Sequence, residues 1–172
     1  MRVTVGPILQ TSPRRGIRRV IGPAMSWRRL SPARRAVARA AAVELLRAWA
    51  FVRFRPFAAY APRLGTATSG DPEWEWEGDA RPLVEVRWAV KRWNRAAGGR
   101  FTCLMQAMAA QELLSRRGVP SSVVLGVKPG GKGGDPTAHA WLRVGPWVVL
   151  GGEERDGHLA VASYRRAVRS RG

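Results

Sequence analysis

Two hydrophobic periods divide the chain. In LSPARRAVARAAAVELLRAWAFVRF, residues 30–54, apolar and small residues recur at helical spacing with charged ones between them. Ser31 offers a side-chain acceptor to the free amides of a first turn, and Pro32 suits the first helical position. A helix is therefore predicted from there to the break at Pro56. A shorter segment, PFAAYAPRLG, closes at Gly65. A second helix is predicted over about 83–97 (LVEVRWAVKRWNRAA), ending at Gly98-Gly99. A third runs from Cys103 to about Arg117, with Gly118 as its stop and Pro120 beyond. The period then shortens to two. SSVVLGV is a β-branched run, AHAWLRV alternates, and WVVL follows a Gly145-Pro146 turn, so the last two read as an antiparallel hairpin. Helices first and a small antiparallel sheet afterwards make an α+β fold.

Two stretches escape both periods. TATSGDPEWEWEGDARP, residues 66–82, holds five of the chain's twelve acids, with Trp74 and Trp76 between them. Its Gly, Pro and Ser content predicts a flexible surface loop. Residues 1–26 are rich in Arg, Gly and Pro without sustained periodicity, and read as a mobile arm. The expected organisation is an arm over 1–26, a helical segment over 27–98, and a core with a C-terminal tail over 99–172.

Length supports one domain with a proper core: 172 residues, 45% of them hydrophobic. The most apolar helix is interrupted by Arg39, Glu44 and Arg47, so no membrane span is expected. No apolar segment with a small-residue cleavage site follows the basic start. A secretory signal is therefore not expected, and a cytoplasmic protein is the simplest reading. One cysteine excludes an internal disulfide, and one cysteine with two histidines argues against a structural zinc site. No metal or cofactor is expected. The net charge is +18, and residues 1–70 hold fourteen arginines against one acid, Glu44. Such a field attracts anionic partners, although a general preference for arginine codons would give the same count, with solubility as its main effect.

Cys103 opens its helix. A helix N-terminus carries partial positive charge and free amides, which stabilise a thiolate and can hold an oxyanion formed during acyl transfer. Alone, a cysteine is more often a small buried residue. Its candidate partner is His139 in AHAWLRV, where alternation puts His139 and Trp141 on one strand face. A histidine there can take the thiol proton and return it to a leaving amine. Such a base needs an orienting group, and Glu153 and Glu154 lie about where the neighbouring strand ends. His158, in a Gly-flanked loop, reads as surface.

CLMQAMAAQELLSRRGVPSSVVLGV followed by AHAWLRVGPWVVLGG resembles the leader peptidases of lasso-peptide biosynthesis, cysteine proteases of transglutaminase-like fold. The helix over residues 30–54 is similar to the segment that precedes their catalytic core, so the resemblance spans roughly residues 30–151. It implies a transglutaminase-like, papain-like core: a cysteine-bearing helix on a small antiparallel sheet. It also implies a Cys-His-Asp triad that cuts the leader from a ribosomally made precursor peptide, and Cys103 and His139 fall on the nucleophile and the base. The third member departs from the pattern. Where many relatives carry aspartate, an ungapped reading lands on Gly151 or Gly152, and Glu153 is the nearest carboxylate, with Glu154, Asp135 and Asp156 as alternatives. The implied partners are the precursor, a separate leader-recognition protein, and a macrocyclase of the asparagine-synthetase type. Two other readings stand beside this one. One is acyl transfer to an amine on the same fold. The other is a non-enzymatic basic module for nucleic acid, although no groove-reading motif is present.

Overall fold

Helix α1 (Pro32–Phe54) begins where the sequence offers a cap: the Ser31 hydroxyl accepts the Arg34 amide at 3.3 Å, with Pro32 in the first turn. It ends at Arg55, whose extended backbone is what a residue before proline adopts. The computed structural model describes residues 27–130 and 134–167, and the arm expected over 1–26 lies outside the described residues. After α1 come a single turn, α2 (Phe57–Tyr60), and a 3-10 turn over Ala61–Leu64. Two longer helices follow, α3 (Arg81–Ala96) and α4 (Cys103–Ser115). The strands are β1 (Thr66–Ser69), β2 (Ser121–Lys128), β3 (Thr137–Val144), β4 (Trp147–Leu150) and β5 (Leu159–Arg166). The chain is α+β, with an antiparallel sheet in the order β1-β5-β2-β3-β4.

The core lies between the helices and the sheet. Ala41 and Leu45 of α1, Val86 and Val90 of α3, and Ala107, Ala110 and Leu114 of α4 pack with Val123, Leu142 and Val144 of the strands. Two buried polar groups fix how these layers meet. The Gln111 side-chain amide, 1% exposed, reaches the carbonyls of Leu64 and Tyr164 at 3.0 Å and of Ser121 at 3.3 Å, so α4 is tied to the 3-10 turn and two strands. Trp93 donates from Nε1 to the Ala38 carbonyl at 2.6 Å, joining α3 to α1. The buried carboxylate of Glu44 is held by Arg116 at 2.6 Å and Arg47 at 3.2 Å, which compensates a charge that burial would otherwise penalise.

Two strands were not expected. β5 sits in the middle of the sheet, between β1 and β2, and not in a tail. β1 pairs with β5 from Thr66 to Ser69, so the first residues of the expected loop are an edge strand. The rest of that segment is held to the domain. Asp71 pairs with Arg143 at 2.8 Å with both side chains mostly buried, and Trp74 and Trp76 pack against the core. Arg165 lies 4.3 Å above the Trp74 ring.

Glu112 joins α4 to β5 through Arg166, and Arg116 bonds it from its own helix. Burial pushes the Glu112 carboxyl up, but the hydrogen bonds and charges of Arg166 and Arg116 outweigh it and hold the group below the ordinary carboxylate range. A depressed carboxylate stabilises the fold above its unfolded pKa, and the contribution disappears as pH falls through the folded one. The urea midpoint should therefore hold from neutral pH to about pH 5 and drop below roughly pH 4.3. In Glu112→Gln the midpoint should start lower and the acid drop should shrink. An unchanged drop in that variant would remove Glu112 from the account.

Candidate active site

The site is built where α4 begins. The Thr102 hydroxyl caps α4 by accepting the Met105 amide at 3.4 Å, which leaves Cys103 as the first helical residue, half-buried and unbridged. The approach to this helix start is held on both sides of Phe101. Asn94 of α3 accepts the Phe101 amide at 3.1 Å, and Gln106 donates to the Phe101 carbonyl at 2.9 Å. α4 and β2 are joined by a short turn at Gly118, so they run in opposite directions. Gln111 marks the level of Ser121, and the eight residues back to Cys103 cover about 12 Å of helix. The five from Ser121 to Gly126 cover about 17 Å of strand. Gly126 pairs with His139. Cys103 and His139 are thus carried toward the same end of the domain.

No hydrogen bond joins them in this structure. His139, 6% exposed, shares its strand face with Trp141 and Arg143, while Leu142 and Val144 alternate into the helical core. Its Nε2 lies 2.8 Å from the Gly151 carbonyl oxygen. A carbonyl can only accept, so Nε2 carries a proton, and in the neutral ring Nδ1 carries the lone pair. The tautomer of this candidate base is therefore set by main chain. Gly151 is left-handed (φ 77°), and a Cβ there would stand 2.6 Å from the Ala140 carbonyl oxygen, so glycine is required where this carbonyl is presented. Behind the imidazole, Trp141 stacks at 6.2 Å between centroids and its Nε1 lies 3.4 Å from Asp71. Gly126 makes room for that indole: a Cβ would meet its Cζ3 at 2.6 Å.

The expected third member is elsewhere. Glu153 follows β4 in a 3-10 turn (Gly152–Glu154), but its carboxylate faces α3, 2.7 Å from Arg87 and 3.5 Å from Lys91. Its own backbone amide, then Lys91 and Arg87, hold its carboxyl below the ordinary range. Arg87 also donates to the Val149 carbonyl at 2.6 Å, so this cluster pins the turn that presents Gly151. The carboxylate nearest the base is Glu154, with Oε2 3.6 Å from Nδ1 and the side chain 79% exposed. Asp135 and Asp156 are exposed and make no ion pair with His139.

His158, read from sequence as a surface residue, lies against His139. Its ring is 5.3 Å from that of His139, its Nε2 is 3.4 Å from the Thr137 hydroxyl, and its Nδ1 is buried without a partner. Sequence spacing gave no signal for it, nor for Asn94 and Gln106. The family's aspartate position falls on Gly151 or Gly152, but a carbonyl is invisible to a search for carboxylates.

A family model described as the transglutaminase-like superfamily matches residues 45–164, from the second half of α1 to β5, and this span contains both Cys103 and His139. The chain belongs to the transglutaminase-like superfamily. This superfamily comprises cysteine peptidases and transferases, which fits a thiol at a helix start and an imidazole on a strand. No curated protein and no solved structure matched the chain. Among the described residues, no cluster of His, Cys, Asp or Glu could hold a metal ion, and no helix is long and apolar enough to cross a membrane.

Within this transglutaminase-like site the two glutamates should separate cleanly. Glu153→Gln breaks exposed ion pairs, worth within about 1 kcal/mol of stability, and should change turnover less than about twofold. Glu154→Gln removes the charge beside Nδ1 and should lower turnover roughly three- to tenfold at neutral pH. Comparing kcat and the urea midpoint of the two variants checks both. A larger loss of turnover in Glu153→Gln would return that residue to the triad.

Proposed function

We propose that this chain is a cysteine peptidase that removes the leader from a ribosomally synthesised lasso-peptide precursor. It would act with a separate leader-recognition protein, and a macrocyclase of the asparagine-synthetase type would use the freed N-terminus. The observation that carries the chemistry is the Gly151 hydrogen bond, which leaves Nδ1 of His139 as a proton acceptor in a superfamily of thiol-dependent enzymes. The similarity of the Cys103 helix and the Ala-His-Ala-Trp strand to leader peptidases supplies the substrate class.

In the proposed reaction Nδ1 takes the Cys103 proton, and the thiolate attacks the carbonyl at the end of the leader. The C–N bond breaks as the imidazolium returns its proton to the leaving amine, which is the core peptide's N-terminus. Water, deprotonated by the same nitrogen, then hydrolyses the thioester and restores the thiol. The amides at the start of α4 would serve as donors to the oxyanion developing on the attacked carbonyl. This sequence needs Sγ at Nδ1, a contact that substrate binding must bring about, since catalytic hydrogen bonds often tighten only in the complex.

The test is incubation of the precursor and the leader-recognition protein with this chain, read by mass spectrometry. The expected products are intact leader and intact core, differing from the precursor by one water. Transfer of the leader to an added amine in place of hydrolysis would move the assignment to a transferase. No reaction by either route would remove it.

A further inference from the structure

Much of the apolar surface of α1 is packed into the core, but one row is not. Val43 is 51% exposed, Leu46 59%, Trp49 42% and Phe54 66%. With Ala50 between them, Val43, Leu46 and Phe54 follow a single helical stripe about 16 Å long. Soluble chains seldom leave such a row bare without a use for it. Alongside runs a groove of about 1170 Å³, bounded by α1, the 3-10 turn and the second half of α4, and it shares Ala50 and Phe54 with the stripe. Five arginines and two glutamates line this groove, a net of +3. Both glutamates are already bonded by Arg116. Among the described residues, Arg55 and Arg63 have no carboxylate partner, and both are exposed.

We infer that this stripe and groove dock an acidic polypeptide, one whose carboxylates flank aliphatic or aromatic anchors. Aromatic side chains and arginine together are what energetically dominant interface positions are made of. The charge decides among occupants. The chain's own residues 1–26 hold five arginines and no acid, so they would bring like charge. An anionic bilayer would meet the stripe but leave the concave groove empty. Nucleic acid would engage the arginines and gain little from Leu46 and Phe54. The inference goes beyond the proposed function and does not depend on it; under that reading the leader-recognition protein would carry the acidic segment.

The probe is a fluorescein-labelled peptide of about twelve residues, alternating glutamate with leucine or phenylalanine, followed by anisotropy against the full chain. A lysine-for-glutamate peptide, phosphatidylglycerol vesicles and a short DNA duplex serve as comparisons. The acidic peptide should bind in the micromolar range, and its Kd should rise about tenfold between 50 and 500 mM salt as screening shortens. Leu46→Ser with Phe54→Ser should weaken it at least tenfold, as should Arg55→Glu with Arg63→Glu. All four side chains are exposed, so the thermal midpoint should stay near that of the parent. Alkylation of Cys103 should be unchanged in both double variants. An acidic peptide that does not bind, or binds equally well to both variants, overturns the inference. So does preferential binding of vesicles or duplex that is lost in the same variants. Cleavage is not read, so a failure here leaves the peptidase standing, and an inert Cys103 leaves the docking surface standing.

Discussion

Cys103→Ala should abolish precursor cleavage, by at least about 10⁴-fold in kcat, while the fold is retained. The substitution removes one sulfur from the first residue of α4. The Thr102 cap, the Asn94 and Gln106 bonds at Phe101 and the buried face of the helix do not depend on it. Alanine is also the best helix former, so the start of α4 should not fray. Without the thiol no acyl-enzyme can form, and neither His139 nor the helix amides can supply a nucleophile of comparable strength. The checks are a single-turnover assay with partner present and a thermal melt of the variant. A variant that still cleaves would end the cysteine-peptidase reading.

His139→Ala should cost nearly as much, on the order of 10³- to 10⁴-fold, because nucleophile and base act as a unit. In the proposed reaction the imidazole would perform two proton transfers per half-reaction, and among the described residues only His139 bonds the Gly151 carbonyl. His158 is the nearest imidazole, but its Nε2 is turned to Thr137. Partial rescue of His139→Ala by added imidazole would support a missing base, whereas a merely structural histidine would not be rescued that way. A related, smaller effect should follow from Gly151→Ala. That change forces alanine into left-handed backbone and against Ala140, at a cost of about 1–2 kcal/mol from the backbone alone. It should lower kcat roughly 10- to 100-fold with little change in KM.

The helices and the β2–β4 part of the sheet were legible in the sequence because their patterns are one-sided. Val123, Leu142 and Val144 alternate into the core, and Ser31 and Gly118 punctuate the helices. β5 was not legible because its apolar residues do not mark the buried positions: Leu159 and Val161 are 67% and 49% exposed while Ser163 is buried, and a bulge interrupts its pairing with β2. A strand held centrally by its two neighbours needs no apolar face of its own to be ordered. β1 is exposed throughout and reads as loop by composition. Trp74 and Trp76 looked free because their neighbours are acids, yet alternation in this short run turns the rings in and Glu73, Glu75 and Glu77 out. At the site, residue type located Cys103 and His139 as candidates. It misplaced the orienting group, since Glu153 is satisfied by Arg87 and Lys91 and the imidazole is bonded to main chain instead.

The central claim is that Cys103 and His139 work as one unit. It is tested most directly by the rate at which a chloromethyl ketone of the leader's C-terminal sequence, which fills the site as substrate does, alkylates Cys103 between pH 5 and 9, read by intact mass. The account predicts alkylation at neutral pH faster than that of a free cysteine, and a fall of at least tenfold at pH 6–7 in His139→Ala. Equal rates and equal pH profiles in the two proteins would contradict it.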